Sequence, residues 1–353
     1  MPDASRPASA ASAGHEQARP TVAIPVLNGG ALLERTLRAL ASQSIAHELL
    51  VCDSGSSDGS AELAARHGAR VIEIAPSQFG HGRTRNLLMR EASGAHVAFL
   101  TQDAEPAHPL WLERLLAGFA LAEDVAVTFG PYLPRAGASL PVRLELAGWF
   151  GSLSPDGAPR LDRLAPDERA LAPQALMGAR GFLTDANACL ARSIWERVPF
   201  REIPYAEDRA LAIDVLRAGW AKAYLPEAAV IHSHDYSPAQ QLRRSFDEWR
   251  GLREVYGWRE PLSPRHVIGQ LRGGLGEANR ELVRTGTPPA SRASALARSG
   301  AQRAARLAGA ILGSRADRLP ARAQRALSLE RRSGLAPLDL RAPAAGTDGA
   351  RTQ

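Results

Sequence analysis

TVAIPVL (21–27), HELLVCD (47–53), ARVIEIA (69–75) and AHVAFLTQD (95–103) are short apolar runs, and between them lie ALLERTLRALASQS (31–44), SDGSAELAARHG (57–68) and GRTRNLLMREASG (82–94), whose apolar residues recur at helical spacing. The order is strand, helix, strand, helix, strand, helix, strand, with each link short enough for a direct crossover. Such alternation predicts a parallel sheet buried on both faces by helices. The expected class is therefore α/β, a Rossmann-like sheet whose strands end together at one carboxyl edge.

Outward from this block the pattern changes on both sides. Residues 1–20 (MPDASRPASAASAGHEQARP) hold Ala, Ser and Pro without apolar period and read as a disordered leader, because they cannot repay the entropy of ordering. After WLERLLAGFALA (111–122) and the strand-like VAVTFG (125–130), residues 131–180 are rich in Pro and Gly and are expected to form long loops over the carboxyl edge. Regular pattern returns in FLTDANACLARSIWERV (182–198), EDRALAIDVLRAGW (207–220), AKAYLPEAAVIHSH (221–234) and PAQQLRRSFDEWRGLREVYGW (238–258), so one mixed sheet is expected across residues 21–258. Residues 259–353 are Arg- and Ala-rich, with helix-compatible pieces such as SALARSGAQRAARLAGAIL broken by Gly and Pro. They read as a mostly helical or partly disordered C-terminal extension.

Composition narrows the function classes. With 45% hydrophobic and 23% charged residues the chain is globular, which excludes a collagen, a coiled coil or a wholly disordered protein. It holds no run of the ~18 apolar residues that a membrane span needs and no basic start followed by an apolar run, so it is expected in the cytoplasm. Cys52 and Cys189 lie in apolar runs without a CxxC partner and read as small buried hydrophobes. Lys222 is the sole lysine. Residues 259–353 hold 17 arginines against 7 acids, an excess of +10, which leaves residues 1–258 at −4. Any attraction to nucleic acid or anionic lipid therefore belongs to the extension. Nucleic acid is the weaker fit, because the extension offers few aromatic residues for stacking.

Ligands of open α/β sheets bind where strands end, and those positions are polar here: Asn28-Gly29-Gly30, Asp53 to Gly59, and Thr101-Gln102-Asp103-Ala104-Glu105. No GxGxxG follows the first strand and there is no GxxxxGK[ST], which counts against a dinucleotide-dependent dehydrogenase and a P-loop. Asp53 could accept from the imide N–H of a pyrimidine base or serve only the turn that follows; Asp58 reads as a helix cap. Asp103 and Glu105 suit a divalent metal through hard oxygen ligands, although solvated loop acids look the same. His232 and His234 share a face if the strand runs through them, and at least one is expected to ligate a metal. Glu207-Asp208 opens a predicted helix: either the pair only favours the helix dipole, or it faces the cleft and takes a proton from an acceptor hydroxyl. His81-Gly82-Arg83-Thr84-Arg85-Asn86 could contact phosphate near a helix start, with Arg83 as readily a solvated arginine.

Taken together, AIPVLNGG, VCDSGSSDGS, RTRNLLMREASGAHVAFLTQDAEP and YAEDRALAIDVLRAGW occur in an order and spacing that resembles a family 2 glycosyltransferase of the GT-A fold. SQFGHGRTRN, LTQDA, FLTDANACLARSIWERVPF and AVIHSHDYS resemble the bacterial rhamnosyltransferases that build O-antigen and related surface polysaccharides. The resemblance covers residues 21–258. It implies that Pro25, Asn28, Asp53 and Gln102 line the nucleotide site, that Arg85 and Asn86 lie near the diphosphate, and that Asp103 is the last acid of the family's DxD motif. Thr101 stands where the first acid is usual, so the implied metal, Mg2+ or Mn2+, would be held by Asp103, the HSH segment (His232, His234) and the diphosphate. Asp208, with Glu207 beside it, matches the family's catalytic base, and Arg180, Asp185 and Asn187 fall where sugar contacts are expected. The implied reaction is inverting transfer of a sugar, with dTDP-rhamnose as implied donor, to a polyprenyl-linked or glycan acceptor. A nucleotidyltransferase is the nearest rival, but NGGALLERT lacks the arginine-rich phosphate loop it would need. The extension could lie on the anionic cytoplasmic face of the inner membrane.

Overall fold

A computed structural model of the chain describes residues 19–330. The expected leader (apart from Arg19 and Pro20) and residues 331–353 of the expected extension lie outside the described residues. The opening block is β1 (Thr21–Val26), α1 (Gly30–Ala41), β2 (Glu48–Asp53), α2 (Ser60–Arg66), β3 (Arg70–Glu73), α3 (His81–Glu91) and β4 (His96–Leu100). β5 (Glu105–Pro106), α4 (Trp111–Ala117), β6 (Val125–Phe129), β7 (Tyr132–Leu133), α5 (Leu140–Leu153), β8 (Arg160–Asp162) and β9 (Asn187–Ala191) follow. The remainder comprises α6 (Arg192–Trp195), α7 (Glu207–Arg217), β10 (Ala221–Tyr224), β11 (Val230–Ile231), α8 (Pro238–Tyr256), α9 (Pro264–Arg284), α10 (Pro289–Gly313) and α11 (Ala321–Leu327).

Eight strands form one mixed sheet in the order β3-β2-β1-β4-β9-β6-β10-β8. β1 is parallel to β2 and β4, whereas β9 runs antiparallel between β4 and β6. Alternation along the central strands divides the core. Val22, Ile24 and Val26 pack on one face with Leu33, Leu37 and Trp111, while Ala23 packs on the other with Leu87, Phe99 and Phe129. Helices on both faces keep every central strand dry, which is why these strands read as unbroken apolar runs.

A second sheet, β5-β11-β7, decides where the chemistry goes. β11 pairs antiparallel with β5, Ile231 opposite Glu105, and parallel with β7, Ile231 opposite Leu133. That register carries the segment after β11 to the loop that precedes β5.

Two expectations change here. Residues 131–180 are not only loops, because α5 occupies fourteen of them and β8 joins the main sheet. Apolar residues lie around α5 rather than along one stripe, so it shows no helical period, and Gly148 and Gly151 read as breaks. Residues 259–330 of the C-terminal extension are mostly helical, as expected, but they are docked on the rest of the chain: α10 lies along α8, where a Cβ on Gly309 would stand 2.3 Å from the Leu242 carbonyl oxygen and one on Gly313 2.3 Å from that of Phe246. Only glycine permits that approach.

Candidate active site

Three strand ends are laced into one crevice. Asn28, at φ +49°, donates its backbone N–H to Ser56 Oγ (2.8 Å) and accepts from the Ser57 N–H on Oδ1 (2.9 Å). Gln102 closes a reciprocal pair with Leu27, accepting from its N–H (2.8 Å) and donating to its carbonyl (3.1 Å). Asp53, buried at the end of β2, accepts from the N–H groups of Gly55 (2.9 Å) and Ser56 (2.8 Å) through Oδ1. Its Oδ2 is shielded and has no partner among the described residues. A buried acceptor without a donor is costly, and at a strand end it suits an incoming N–H. Asp58 has the capping role expected of it, holding Ser60 and the Gly30 N–H. Pro25 lies in β1, half-buried opposite Cys52.

The pairing of β11 with β5 brings both histidines to Asp103. His232 Nδ1 lies 3.4 Å from Asp103 Oδ1, and His234 Nε2 lies 3.2 Å from Oδ2. One ligand atom from each of the three residues falls within 4.8 Å of the others. The strand stops at Ile231, so the two histidines meet the carboxylate from extended backbone beyond it. Burial opposes ionisation of Asp103, yet the two imidazoles hold its carboxyl below the ordinary range. Burial pushes His232 down, towards the neutral form that has a lone pair to give. One carboxylate and two imidazoles form a donor set that fits a divalent first-row ion such as Mn2+ better than the all-oxygen preference of Mg2+. Arg135, which the sequence reading passed over, donates to the Asp103 carbonyl, and its Nη1 is shielded without a partner.

A second acidic group gathers at the start of α7. Arg85 on α3 is almost fully buried, with Nε 2.7 Å from Asp185 Oδ2 and Nη1 3.1 Å from Glu207 Oε1. Ala206, before the acid pair, is held at φ +66° although it is not glycine, and a Cβ on Gly251 of α8 would come within 2.9 Å of its Cβ. Left-handed backbone at such a residue costs ~1–2 kcal/mol, and here it turns Glu207 inward to Arg85 while Asp208 faces the cavity. Burial pushes the Asp208 carboxyl up to about 6, with Arg209 opposing and Asp185 adding to the rise. Asp185 is pushed up to about 7 by burial, with Arg85 opposing.

One cavity of about 660 Å³ joins these groups, with Asp208, His232 and His234 all in its wall. Its lining also includes Tyr132, Arg209 and Arg244, none of which the sequence reading selected. Arg209 stands over the Phe182 ring at 3.7 Å and directly follows Asp208, an adjacency that the sequence offered.

Other expected site residues have different duties. Asn86 is a structural fastener: its amide donates to the Phe200 carbonyl and accepts from Trp195 Nε1 and the Phe200 N–H. Asn187 is likewise consumed, by Trp111 Nε1 and the carbonyls of Pro131 and Ala228. Arg180 is paired with Glu168 at 2.8 Å and is absent from the cavity wall. Arg85 is engaged by carboxylates where a diphosphate contact was expected, and Arg83 pairs with Glu202 at 2.9 Å. In each case the polar residue is engaged by another part of the protein, and its own sequence is the same either way.

Residues 21–170 match the family model described as glycosyl transferase family 2. The O-antigen chain rhamnosyltransferase WbaN of Salmonella anatum is 32% identical over 204 residues, which cover 57% of this chain and 61% of that protein. The O-antigen chain rhamnosyltransferase RfbN of Salmonella typhimurium is 32% identical over 234 residues, 64% of this chain and 70% of that one. The match to the first of these thus spans less than two thirds of the relative. Among solved structures, the mannosyltransferase PcManGT of Pyrobaculum calidifontis, in complex with GDP-Man and Mn2+, superposes with a TM-score of 0.54 at 17% identity over 85% of this chain and 88% of that one, a likeness of fold.

Removing the buried cation should expose the electrostatics of the acid cluster. Arg85→Met leaves Asp185 and Glu207 buried without their cation, and the expected cost at pH 8 is ~3–5 kcal/mol. Loss of the cation raises the folded-state pKa of Asp185 further, so the folded form binds more protons than the unfolded one and stability falls as pH rises. Urea unfolding at pH 5 and pH 8 should therefore show a smaller loss at pH 5. An equal loss at both would mean that Arg85 acts only by filling space.

Proposed function

The chain belongs to glycosyltransferase family 2, and on that footing we propose that it is an inverting transferase that moves L-rhamnose from dTDP-rhamnose to a hydroxyl of a lipid-linked or cell-surface glycan. The observation that carries this reading is the shared cavity, whose wall holds both a carboxylate with a raised pKa, Asp208, and the two histidines that meet Asp103. A base for the acceptor and a cationic seat for a leaving diphosphate are the two things a single displacement needs. Rhamnose as the sugar and an O-antigen-like acceptor rest on the likeness to the two rhamnosyltransferases.

In this mechanism Asp53 Oδ2 accepts from the base of the donor nucleotide, and Asn28, Pro25 and Gln102 shape the crevice around it. Asp103, His232 and His234 would hold a divalent ion, Mn2+ in preference to Mg2+, which when bound neutralises charge on the diphosphate. Arg135, with a free donor beside Asp103, offers a further positive contact. Asp208 accepts the proton of the acceptor hydroxyl as that oxygen attacks the anomeric carbon; the bond to the diphosphate oxygen breaks and configuration inverts. Arg85 and Asp185 set the pKa of this base without touching sugar. Arg209, stacked on Phe182, keeps Asp208 from rising further.

The exposed side of α9 supports the membrane reading. Arg265, Arg272, Arg280 and Arg284 are exposed there together with Ile268 and Val283, a mixture suited to an anionic lipid surface, where each arginine contributes ~1 kcal/mol. No helix among the described residues is long and apolar enough to cross a membrane.

Calorimetry against dTDP-, UDP- and GDP-sugars should show dTDP-rhamnose bound most tightly, with affinity raised by Mn2+ and lowered by Asp53→Ala and by Asp103→Ala; preference for a UDP- or GDP-sugar would replace the donor and leave the mechanism standing. Turnover should rise with pH through about 6 as Asp208 ionises. Asp208→Asn should cost ~10²–10⁴-fold in turnover while donor affinity is kept. The same variant should be about 1–3 kcal/mol more stable at pH 7, because it removes a buried carboxyl that resists ionising. Lost donor affinity in Asp208→Asn would count against the assignment. Flotation of the full chain with phosphatidylglycerol vesicles should show binding that weakens with salt and is absent with phosphatidylcholine alone; no flotation with either would end the membrane reading.

A further inference from the structure

Beside the main cavity, and sharing Glu145, Trp149 and Arg306 with its wall, lies a groove of about 330 Å³ between α5, α8, α9 and α10. From this groove we infer a second saccharide subsite, which holds the acceptor residue next to the one whose hydroxyl meets Asp208. The inference rests on the transferase reading above and extends it to the length of the acceptor.

Four observations point to a sugar. Trp149 and Trp249 both line the groove, and Trp149 keeps 38% of its surface exposed, an uncommon position for so large an apolar side chain. Flat aromatic faces suit the C–H face of a pyranose, and an indole adds an N–H. Trp249 Nε1 has no hydrogen-bond partner among the described residues although it is shielded from solvent. Its charges cancel: Arg303 and Arg306 are matched by Glu145 and Glu277, with Arg306 paired to Glu145 at the junction of the two cavities. A balanced set of donors and acceptors fits a neutral polyhydroxy ligand, whereas a lipid diphosphate would require a net positive lining and an isoprenoid chain an apolar one.

Gly148 supplies the fourth observation. It sits inside α5 and lines the groove, and a Cβ there would meet nothing within 4 Å. Glycine inside a helix costs roughly 0.5–1 kcal/mol relative to alanine, and no packing contact explains it at this position. Open space over the helix is what glycine provides, and a ligand lying against α5 would use it. Arg303 is fixed across the groove by its Nε–H donating to the Gln270 carbonyl at 3.0 Å.

The full chain, saturated with dTDP and Mn2+, would be titrated calorimetrically with methyl hexosides and with disaccharides that carry the same hexose at the non-reducing end. At least one disaccharide should bind about tenfold more tightly than its matching monosaccharide. Trp249→Phe, which keeps the ring face and removes the N–H, and Gly148→Leu, which fills the open space, should each erase that gain and leave dTDP affinity unchanged. Equal affinity for mono- and disaccharides, a gain that survives both variants, or no saccharide binding while dTDP binds would each overturn the subsite. Failure of dTDP itself to bind would instead strike the donor assigned in that reading, and a Trp249-dependent disaccharide gain in that case would leave the groove standing as a glycan site.

Discussion

The Arg85 guanidinium, set between Asp185 and Glu207 at 2.7 and 3.1 Å, is the contact from which the acidic site takes its character. Burying carboxylates together is costly unless a cation compensates them. Arg85 comes from α3, Asp185 from the segment entering β9, and Glu207 from the first turn of α7, so this one ion pair fixes three parts of the chain against each other. Because Glu207 is drawn inward, its neighbour Asp208 is left facing the cavity. The strained backbone at Ala206 serves the same division, and the close approach of Gly251 prevents its relaxation. The cluster is therefore a tuning device, with Arg85 and Arg209 limiting how far burial can raise the carboxyls of Asp185 and Asp208.

The metal-ligand cluster is built on a different principle. Asp103 and the two histidines are about 130 positions apart and meet through the short pairing of β5 with β11. No helix packing is needed to hold them, since two strand registers specify the approach. Arg135 reaches the same place from the segment after β7, the third strand of that small sheet. The placing of Asp103, His232, His234 and Arg135 thus depends on a sheet of two-residue strands, tied to the main core through Val230 and Tyr132.

How much was legible followed from how local the determinant was. The strands and helices from Thr21 to Leu100 could be read because burial on both faces writes continuous apolar runs. Asp53, Asp58 and Asn28 were legible as strand-end polar residues because turn chemistry is local, though only the structure separates the cap at Asp58 from the shielded free acceptor at Asp53. Asn86, Asn187 and Arg180 were misjudged for the same reason that they were noticed. Asn86 lies inside α3 and Asn187 opens β9, and whether each faces the cleft or fastens the core is decided by tryptophans and carbonyls about 40 to more than 100 residues away, whereas Arg180 is taken by Glu168, twelve positions before it. α5 was lost because its surroundings, cavity on one side and α9 and α10 on others, leave no polar stripe for a period to show.

That last failure bears on the arginine-rich extension, which composition alone separated from residues 21–258. Glycines at 309 and 313 let α10 settle onto α8, Ala278 and Leu282 of α9 share a small core with Leu140 of α5, and Arg306 reaches Glu145 at the cavity mouth. Part of the excess positive charge is thereby met by an acid outside the extension, Glu145. What remains outward on α9 is a smaller, one-sided set. The groove side of these helices sets Arg303 and Arg306 against Glu145 and Glu277 and suits a neutral saccharide, whereas the outer side of α9 carries Arg265, Arg272 and Arg280 in excess of the Arg284–Glu281 pair and suits an anionic surface.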